Sequence, residues 1–437
     1  MLIEERKMKG KTKQISRRDL LKAGAAVSAG ALAAQNSRSF AAGSDKMGIA
    51  LIGCGDRGTR DAIDCLNSAK GLEMVAVADI FQDRIDSSLA KMKEAFRGKV
   101  KVTPETSFLG FDAYKKVMAM KEVDVVMLTT PPAFRPQMVK AAIEAGKHIF
   151  VEKPGAVDPV GIRSLLASAE LADRKRLSIV VGTQQRWQPQ YLELIQRIHD
   201  GKLGDVVGGQ AYWNWGSSKW HFEHRKPGWS DTEWQIRCWP YFVWLSGDHI
   251  VEQHLHNMDI LNWAIGSPPV QCLAVGGRQA RTGPEFGNIY DHFTAEYQYP
   301  NGIRVMSMCS QIEGSTPRVG ERVVCTKGSI STNRGEGYID DTKGRRIFNY
   351  DDNIHSGEAA QCANLIGSIR DGEPINECKR LAESTMTVIL GRMSAYTGRA
   401  LSWKWAMKSK LDLSPAKYEL GDLPVRPVAV PGKVRLI

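Results

Sequence analysis

The sequence predicts a doubly wound parallel α/β sheet, followed by an α+β domain with a large, mainly antiparallel sheet. Two observations support this prediction. From residue 47 to residue 183, short apolar runs alternate with helix-forming segments, which is typical of consecutive β-α-β units. Further along, apolar and polar residues alternate in runs joined by turn sequences such as Asn301-Gly302, which indicates antiparallel hairpins.

The length of 437 residues exceeds that of one ordinary domain, so more than one is expected. We predict a signal peptide over residues 1–41, a first domain over 42–185 and a second over 186–437. The composition, with 43% hydrophobic and 24% charged residues, is that of a globular protein. No apolar run reaches the ~18 residues that a membrane-spanning helix needs, so no such span is expected.

The N-terminal segment has the order of an export signal. Paired arginines in SRRDLLK (residues 16–22) precede a weakly apolar stretch at residues 23–34, and Ser39-Phe40-Ala41 follows as a small-residue cleavage site. This resembles a twin-arginine signal cleaved after about Ala41. It predicts a periplasmic protein that contacts the twin-arginine translocation machinery during export.

The positive charge of the chain lies largely in this segment. Residues 1–41 carry +6 of the formal net charge of +11. The remainder is only mildly basic, so nucleic acid is not an expected partner. Eight cysteines show no metal-type spacing, and a protein folded before export is expected to keep them as buried free thiols.

The first strand leads into a glycine-rich turn. Met47–Ile52 is a short apolar run, and GCGDRG then places Gly53, Gly55 and Gly58 in GxGxxG spacing before a helical segment. Gly53 permits a tight turn, and Gly55 lets the backbone approach a pyrophosphate at the helix N-terminus. With a second strand over Leu72–Asp79, the pattern predicts a Rossmann dinucleotide site.

The acid that ends the second strand indicates which dinucleotide binds. Asp79 can accept hydrogen bonds from the adenosine ribose hydroxyls, and its charge would repel a 2′-phosphate. NAD is therefore favoured as the cofactor, while the nearby Arg84 leaves NADP possible.

Further strands are predicted at residues 123–130, 148–154 and 178–183, and ligands bind at the carboxyl ends of such strands. The predicted cofactor contacts are Gly53, Gly55, Asp56, Arg57, Gly58, Asp79, Thr129, Thr130, Pro131, Glu152, Lys153 and Gln184.

Three motifs in this order, GCGDRG, EAGKHIFVEKP and VGTQQRW, resemble the Gfo/Idh/MocA oxidoreductases. The resemblance extends over roughly residues 47–399 and implies an NAD(P)-dependent oxidoreductase. The chain departs from the family after Pro131, because Phe134-Arg135-Pro136 stands where the family usually has an Asn and a His.

The segment SGDHIVEQHLHNMDILNW (residues 246–263) carries the candidate chemistry. If it forms one helix, His249, Glu252, His256 and Asp259 lie on one face, and Glu252 can orient the His256 ring. The family resemblance implies that Glu252 and His256 form an acid-x-x-x-His pair beside the substrate, with Glu in place of the usual Asp. We predict Lys153, His256 and Glu252 as catalytic residues.

No metal site is predicted, because the spacing from His249 to His254 is one residue too long for a zinc-protease motif. The substrate is expected to be a carbohydrate. Seven of the 11 tryptophans lie between Trp213 and Trp244, and indole rings stack on the apolar faces of sugars. Arg186, Trp187, His254 and Tyr290 are the predicted substrate contacts.

The leading hypothesis is the oxidation of a hydroxyl of a sugar, glycoside or polyol placed between Lys153 and His256. Either residue can act as the base. Export predicts a tightly bound cofactor, since the periplasm is not expected to maintain a free nicotinamide pool. Two alternatives stay open: a redox-neutral, NAD-dependent glycoside cleavage, and a non-catalytic nicotinamide or sugar sensor. A homo-oligomer is expected, with the tail from Asp412 wrapping the surface or a neighbouring subunit.

Overall fold

The computed structural model describes residues 46–216, 221–333, 335–350 and 357–435. The predicted export signal lies outside the described residues. The first sheet has six parallel strands in the order β3-β2-β1-β4-β5-β6. These are β1 (Met47–Ile52), β2 (Leu72–Asp79), β3 (Ser107–Leu109), β4 (Val125–Leu128), β5 (His148–Val151) and β6 (Ile179–Val181).

Helices cover both faces of this sheet. They are α1 (Asp56–Ser68), α2 (Gln82–Phe96), α3 (Ala113–Ala119), α4 (Arg135–Glu144) and α5 (Pro159–Lys175). Along β1, Ile49 and Leu51 pack into one core cluster, whereas Ala50 and Ile52 pack into the other. A strand buried on both faces needs an unbroken apolar run, which explains the short apolar segments of the sequence.

Within the described residues, the second sheet has nine strands in the order β14-β13-β12-β11-β7-β10-β9-β8-β15. All neighbours are antiparallel except β7 and β10. The strands are β7 (Val206–Asn214), β8 (Gln271–Gly277), β9 (His292–Gln298), β10 (Arg304–Ser310), β11 (Arg318–Cys325), β12 (Gly328–Asn333), β13 (Gly337–Asp341), β14 (Arg346–Asn349) and β15 (Leu401–Ser402). Both predicted sheet classes are confirmed.

One face of the second sheet is covered by helices, and the other is open. In β10, Val305 and Cys309 are buried, whereas Met306 and Met308 are exposed, which is the period-two alternation of a half-buried strand. The predicted turn between β9 and β10 is confirmed, with Asn301 and Gly302 both at positive φ.

The remaining α-helices of the described residues are α6 (Pro189–His199), α7 (Asp231–Arg237), α8 (Val243–Ser246), α9 (His249–Glu252), α10 (Leu255–Ile265), α11 (Glu358–Arg370), α12 (Cys378–Thr397) and α13 (Trp403–Ala406). Although α11 lies late in the sequence, its residues Cys362 and Leu365 belong to a core cluster of the first sheet.

Residues 249–259 do not form the single helix considered from the sequence. The helix α9 ends at Glu252, and α10 begins at Leu255. Between them the backbone N–H of His254 bonds to the carbonyl of His249, five residues earlier. This wider turn interrupts the regular helical spacing, and the buried His254 ring is held by Asn257 and Ser307.

All eight cysteines are free and buried, as expected. The tail lies against the chain itself: the N–H of Leu413 donates to Asp158 (2.8 Å), and the Tyr290 hydroxyl donates to the carbonyl of Ala429 (2.9 Å). Within the described ranges, no helix combines the length and apolar character needed to cross a membrane.

Candidate active site

A cavity of about 600 Å³ lies at the carboxyl ends of the parallel strands, where the second domain covers the first sheet. All the predicted cofactor residues line it, as do the three predicted catalytic residues. From the first domain these are Gly53, Gly55, Asp56, Arg57, Gly58, Asp79, Thr129, Thr130, Pro131, Glu152, Lys153 and Gln184; from the second they are Glu252 and His256.

The glycine turn is built as a dinucleotide cradle. Gly53 has φ +101°, and a side chain at Gly58 would put its Cβ 2.2 Å from the carbonyl oxygen of Gly53. A Cβ on Gly55, in contrast, would meet nothing within 4 Å. Gly55 also precedes α1 without a side-chain cap. The open space beside an uncapped helix N-terminus suits a pyrophosphate, so these residues fit NAD.

Asp79 is fixed at the end of β2. Its carboxylate accepts hydrogen bonds from the backbone N–H groups of Cys54 (2.6 Å) and Phe81 (3.0 Å). Burial raises the pKa of Asp79, and these two bonds oppose the rise. The carboxylate therefore braces the glycine turn, and each of its oxygens keeps a lone pair for a ribose hydroxyl.

Glu152 ties the Glu-Lys-Pro turn to α1. One oxygen binds Arg57 (2.8 Å), and the other accepts the backbone N–H of Lys153 (3.0 Å). Arg57 also pairs with Asp61 (2.9 Å), and these acids raise the pKa of Arg57 despite its burial. Both predicted cofactor residues Arg57 and Glu152 thus support the cavity wall through an ion-pair network.

Arg135 stands where the sequence departs from the family pattern. It is buried, lines the cavity and donates to the carbonyl of Pro154 (2.5 Å). Burial lowers the pKa of Arg135 to about 10, although the carboxylates of Glu152 and Glu252 oppose this. The group is charged at neutral pH, so the cavity lining contains a buried cation at this position.

The central contact of the site joins the two domains. The ammonium nitrogen of Lys153 lies 2.8 Å from Oε1 of Glu252 and 2.7 Å from its main-chain oxygen. Both side chains are nearly buried. An ammonium group has three N–H donors, so one donor stays available to a ligand after these two contacts.

His256, at the start of α10, completes the polar end of the cavity. Its ring is stacked on the indole of Trp213, with centroids 5.7 Å apart and planes at 20°. Trp213 lies at the end of β7 and also lines the cavity. The arrangement places a nitrogen base, an ammonium group and an aromatic surface beside the predicted dinucleotide site.

The structure places two predicted substrate contacts, Arg186 and Trp187, outside the cavity lining. The guanidinium of Arg186 binds the Asp259 carboxylate at 2.6 and 3.0 Å. Burial alone would raise the pKa of Asp259, but Arg186 and Arg380 hold it well below its usual range. Trp187 packs against the core cluster of the first sheet that contains Ile49 and Leu51.

The other two, His254 and Tyr290, also lie outside the lining. His254 is buried between Asn257 (3.0 Å) and Ser307 (2.7 Å), and burial lowers its pKa to about 4. Tyr290 is buried, and its hydroxyl bonds to the tail. Ser307 lies 53 residues from His254, and Ala429 lies 139 residues from Tyr290, so these two contacts give no local signal in the sequence.

Sequence reasoning did not assign several residues that line the cavity. They are His221, Ile236, Arg237 and Trp239 of the second domain, and Phe111, Tyr114 and Phe134 of the first. The density of tryptophans was the available signal, since Trp213 and Trp239 line the cavity. Trp234 and Trp244, however, are buried in the core, and Trp220 lies outside the described residues.

In the described part of the chain, no three His, Cys, Asp or Glu side chains are grouped so as to hold a metal ion. Lys153 and His256, which line the same cavity as the glycine turn, carry nitrogen groups of the kind that transfer protons in enzymes.

Comparison with known proteins agrees with this geometry. Residues 47–181 match a family model described as an oxidoreductase family with an NAD-binding Rossmann fold. Residues 191–331 match the GFO/IDH/MocA C-terminal domain. Residues 14–34 match the signal sequence of the twin-arginine translocation pathway, which marks the chain for export to the periplasm.

Curated relatives share part of the sequence. An inositol 2-dehydrogenase of Acidothermus cellulolyticus is 27% identical over 238 residues, which are 54% of this chain and 59% of the relative. A glycosyl hydrolase family 109 protein of Shewanella amazonensis is 31% identical over 217 residues, 45% of each chain. The match thus spans about half the length of these curated relatives.

Solved structures share the fold over most of the chain. An aldose-aldose oxidoreductase from Caulobacter crescentus complexed with glycerol has a TM-score of 0.62 at 18% identity and covers 82% of this chain and 99% of its own. A levoglucosan dehydrogenase in complex with NADH and levoglucosan has a TM-score of 0.63 at 16% identity, with the same coverage. Both domain models, the fold and the cavity agree, and the chain therefore belongs to the Gfo/Idh/MocA family of oxidoreductases.

Proposed function

We propose that the protein oxidises a hydroxyl of a sugar, glycoside or polyol in the periplasm with a tightly held NAD. The observation that carries the proposal is the convergence of Lys153, Glu252 and His256 on the cavity that the glycine turn enters. NAD, when bound, supplies the acceptor for the hydride.

The residues of the chain supply the proton chemistry. The substrate hydroxyl lies between Lys153 and His256, so that His256 takes its proton while Lys153 stabilises the developing negative charge on oxygen. Glu252 holds Lys153 in place through the 2.8 Å contact. The exchanged roles require Lys153 to enter the reaction as the neutral amine, which accepts the proton, while a protonated His256 stabilises the charge on oxygen.

The cavity walls favour a carbohydrate. Trp213 presents an aromatic surface beside His256, and such surfaces accept the apolar faces of sugar rings. The inositol, levoglucosan and aldose oxidoreductases among the similar proteins support a polyhydroxylated substrate class.

Cofactor retention follows from export. A dinucleotide loaded before translocation has to stay bound and be regenerated in place, since the periplasm is not expected to supply a free pool. Asp79, braced against the glycine turn, favours NAD over NADP, because a 2′-phosphate would meet its charge.

The test is to release the nucleotide from purified protein by heat and identify it by mass spectrometry, and to assay the intact protein on a panel of sugars and glycosides. We expect stoichiometric NAD and oxidation of at least one sugar. Protein that carries no nucleotide and reduces no added NAD with any sugar would contradict the proposal.

A second candidate function is glycoside cleavage without net oxidation. Several curated relatives are glycosyl hydrolase family 109 proteins, which specifically favours it. The same residues would then act on a transiently oxidised sugar, with the hydride returned to it. Release of p-nitrophenol from p-nitrophenyl glycosides without a second oxidant would support this function, whereas strict dependence on an electron-accepting co-substrate would support the first.

The open face of the second sheet is a candidate interface for the predicted homo-oligomer. This face exposes two apolar pairs, Leu273 and Val275 of β8 and Met306 and Met308 of β10, with Thr294 and Glu296 of β9 between them. Exposed apolar residues of this kind occur at protein interfaces. We propose that this face pairs with a second copy of the chain. Sedimentation of the Val275→Lys variant as a smaller species than wild type would support the pairing, and a wild-type monomer would contradict it.

A further inference from the structure

One wall of the cavity comes from a segment that no motif marks. Within residues 221–241, hereafter the roof segment, His221, Ile236, Arg237 and Trp239 line the cavity. On its opposite side the segment is fixed to the tail: Thr232 bonds to the carbonyl of Gly421 (3.0 Å), and Gln235 bonds to that of Leu423 (2.5 Å). The roof segment is therefore an anchored part of the second domain.

Arg237 connects this segment to the first domain. Its guanidinium makes two hydrogen bonds to the Asp83 carboxylate, at 3.0 and 3.1 Å. It also lies over the ring of Phe81, 3.8 Å from the ring centre. The contact with Arg237 lowers the pKa of Asp83. A bidentate ion pair combined with a cation–π contact fixes Arg237 in one geometry.

The position of these partners identifies the part of the cofactor involved. Phe81 and Asp83 follow Asp79, the acid at the end of β2 that is placed to bind the adenosine ribose. The N–H of Phe81 is itself bonded to Asp79. Arg237 therefore fastens the roof segment directly beside the adenosine end of the dinucleotide site.

We propose that the roof segment forms the second half of the adenosine-binding site, and that the contacts of Arg237 with Asp83 and Phe81 form a clasp that retains NAD. The dinucleotide leaves only when the clasp opens. The inference rests on the proposed function and deepens it, because it assigns the retention of the cofactor to named residues.

The experiment measures the dissociation rate of NADH from the purified protein by fluorescence, with excess NAD as the chase. Arg237→Gln and Asp83→Asn each remove the ion pair, and we expect either to raise the dissociation rate about two- to fivefold. Asp83 is largely exposed, so its variant leaves the core intact. Added salt should speed dissociation from wild type and have little effect on the variants.

Arg346→Gln is the matched control. Arg346 pairs with Asp340 at 2.7 Å and lies 3.3 Å from the centre of the Tyr338 ring. This pair also combines an Arg–Asp contact with an aromatic ring, but it joins β13 and β14, and Arg346 is not among the residues that line the cavity. The control should keep the wild-type dissociation rate.

Dissociation rates of Arg237→Gln and Asp83→Asn equal to that of the control would overturn the clasp. Failure of the proposed function has a different signature. If both clasp variants release NADH faster than wild type but wild type oxidises no sugar, the clasp is supported and the oxidoreductase function is contradicted. If wild type oxidises a sugar but both variants release NADH at the wild-type rate, the oxidoreductase function is supported and the clasp is contradicted.

Discussion

The ammonium group of Lys153, which follows β5 of the first domain, donates to both the carboxylate and the main-chain oxygen of Glu252, which ends α9 of the second. The pair spans the domain junction and is nearly buried. This contact supports the proposal that Glu252 positions Lys153, beside the role of orienting the His256 ring that the sequence predicts. Two predictions follow from this geometry.

Replacement of Lys153 by Met should lower kcat by about 10²- to 10⁴-fold, since the charge facing the reacting oxygen is removed. NADH binding should weaken much less than kcat falls, because Lys153 is one of many predicted cofactor contacts and the glycine turn and Asp79 are untouched. Steady-state kinetics and NADH titration measure the two effects. Lys46→Met is the control, as Lys46 forms an exposed pair with Glu73; equal kcat values for the two variants would refute the role.

Glu252→Ala should lower kcat by about 10²-fold with a smaller change in KM, because Lys153 loses the group that orients it. Glu252→Gln keeps an oxygen acceptor and should lose less activity, about tenfold. The split between kcat and KM in the two variants is the measurement. A Gln variant that is as inactive as the Ala variant would show that charge, rather than positioning, is what Glu252 provides.

Two glycines of the cradle should respond differently to Ala. A Cβ at Gly55 meets no protein atom within 4 Å, whereas one at Gly58 meets the carbonyl oxygen of Gly53. We expect Gly55→Ala to keep its stability but to weaken NADH binding about tenfold or more, as the methyl group occupies the space beside the pyrophosphate. Gly58→Ala should lower the melting temperature. Calorimetry measures the melting temperature of each variant, and NADH titration measures its affinity. An unchanged NADH affinity in folded Gly55→Ala protein would contradict the role of Gly55 beside the pyrophosphate.

His254 should matter for acid stability. In the folded protein burial lowers its pKa to about 4, below the ordinary value of ~6.5. The unfolded chain therefore binds the proton first as the pH falls, and stability is lost between these two values by at most about 1.4 kcal/mol per pH unit. When the pH is lowered from about 7 to about 5, the urea midpoint of His254→Gln should decrease less than that of wild type. Equal decreases in the two proteins would contradict this prediction.

The first domain was predictable because its signals are local. The predicted bounds of β1 and β2, Met47–Ile52 and Leu72–Asp79, agree with the structure, since a buried strand, a glycine turn and a terminal acid lie within 33 residues of each other. The family resemblance led us to expect Lys153, Glu252 and His256 at one site, but the direct contact between Lys153 and Glu252 was not predicted.

The remaining site features depend on tertiary contacts. Arg186 follows a strand end, as a ligand-binding residue would, but Asp259 binds its guanidinium. Residues 249–259 keep helical spacing in sequence, but the buried His254 and its wide turn divide them into two helices. Arg237 gives no sequence signal, because its partners Phe81 and Asp83 are about 150 residues away.

The most direct test of the central claim is a single-turnover measurement on protein purified with its nucleotide. The reacting sugar from the panel is added to wild type and to the Lys153→Met/His256→Ala double variant, and reduction of the bound NAD is followed by absorbance. Wild type should reduce its bound NAD in one phase, whereas the double variant should retain the nucleotide and leave it oxidised. Reduction in the double variant at a rate close to that of wild type would contradict the account.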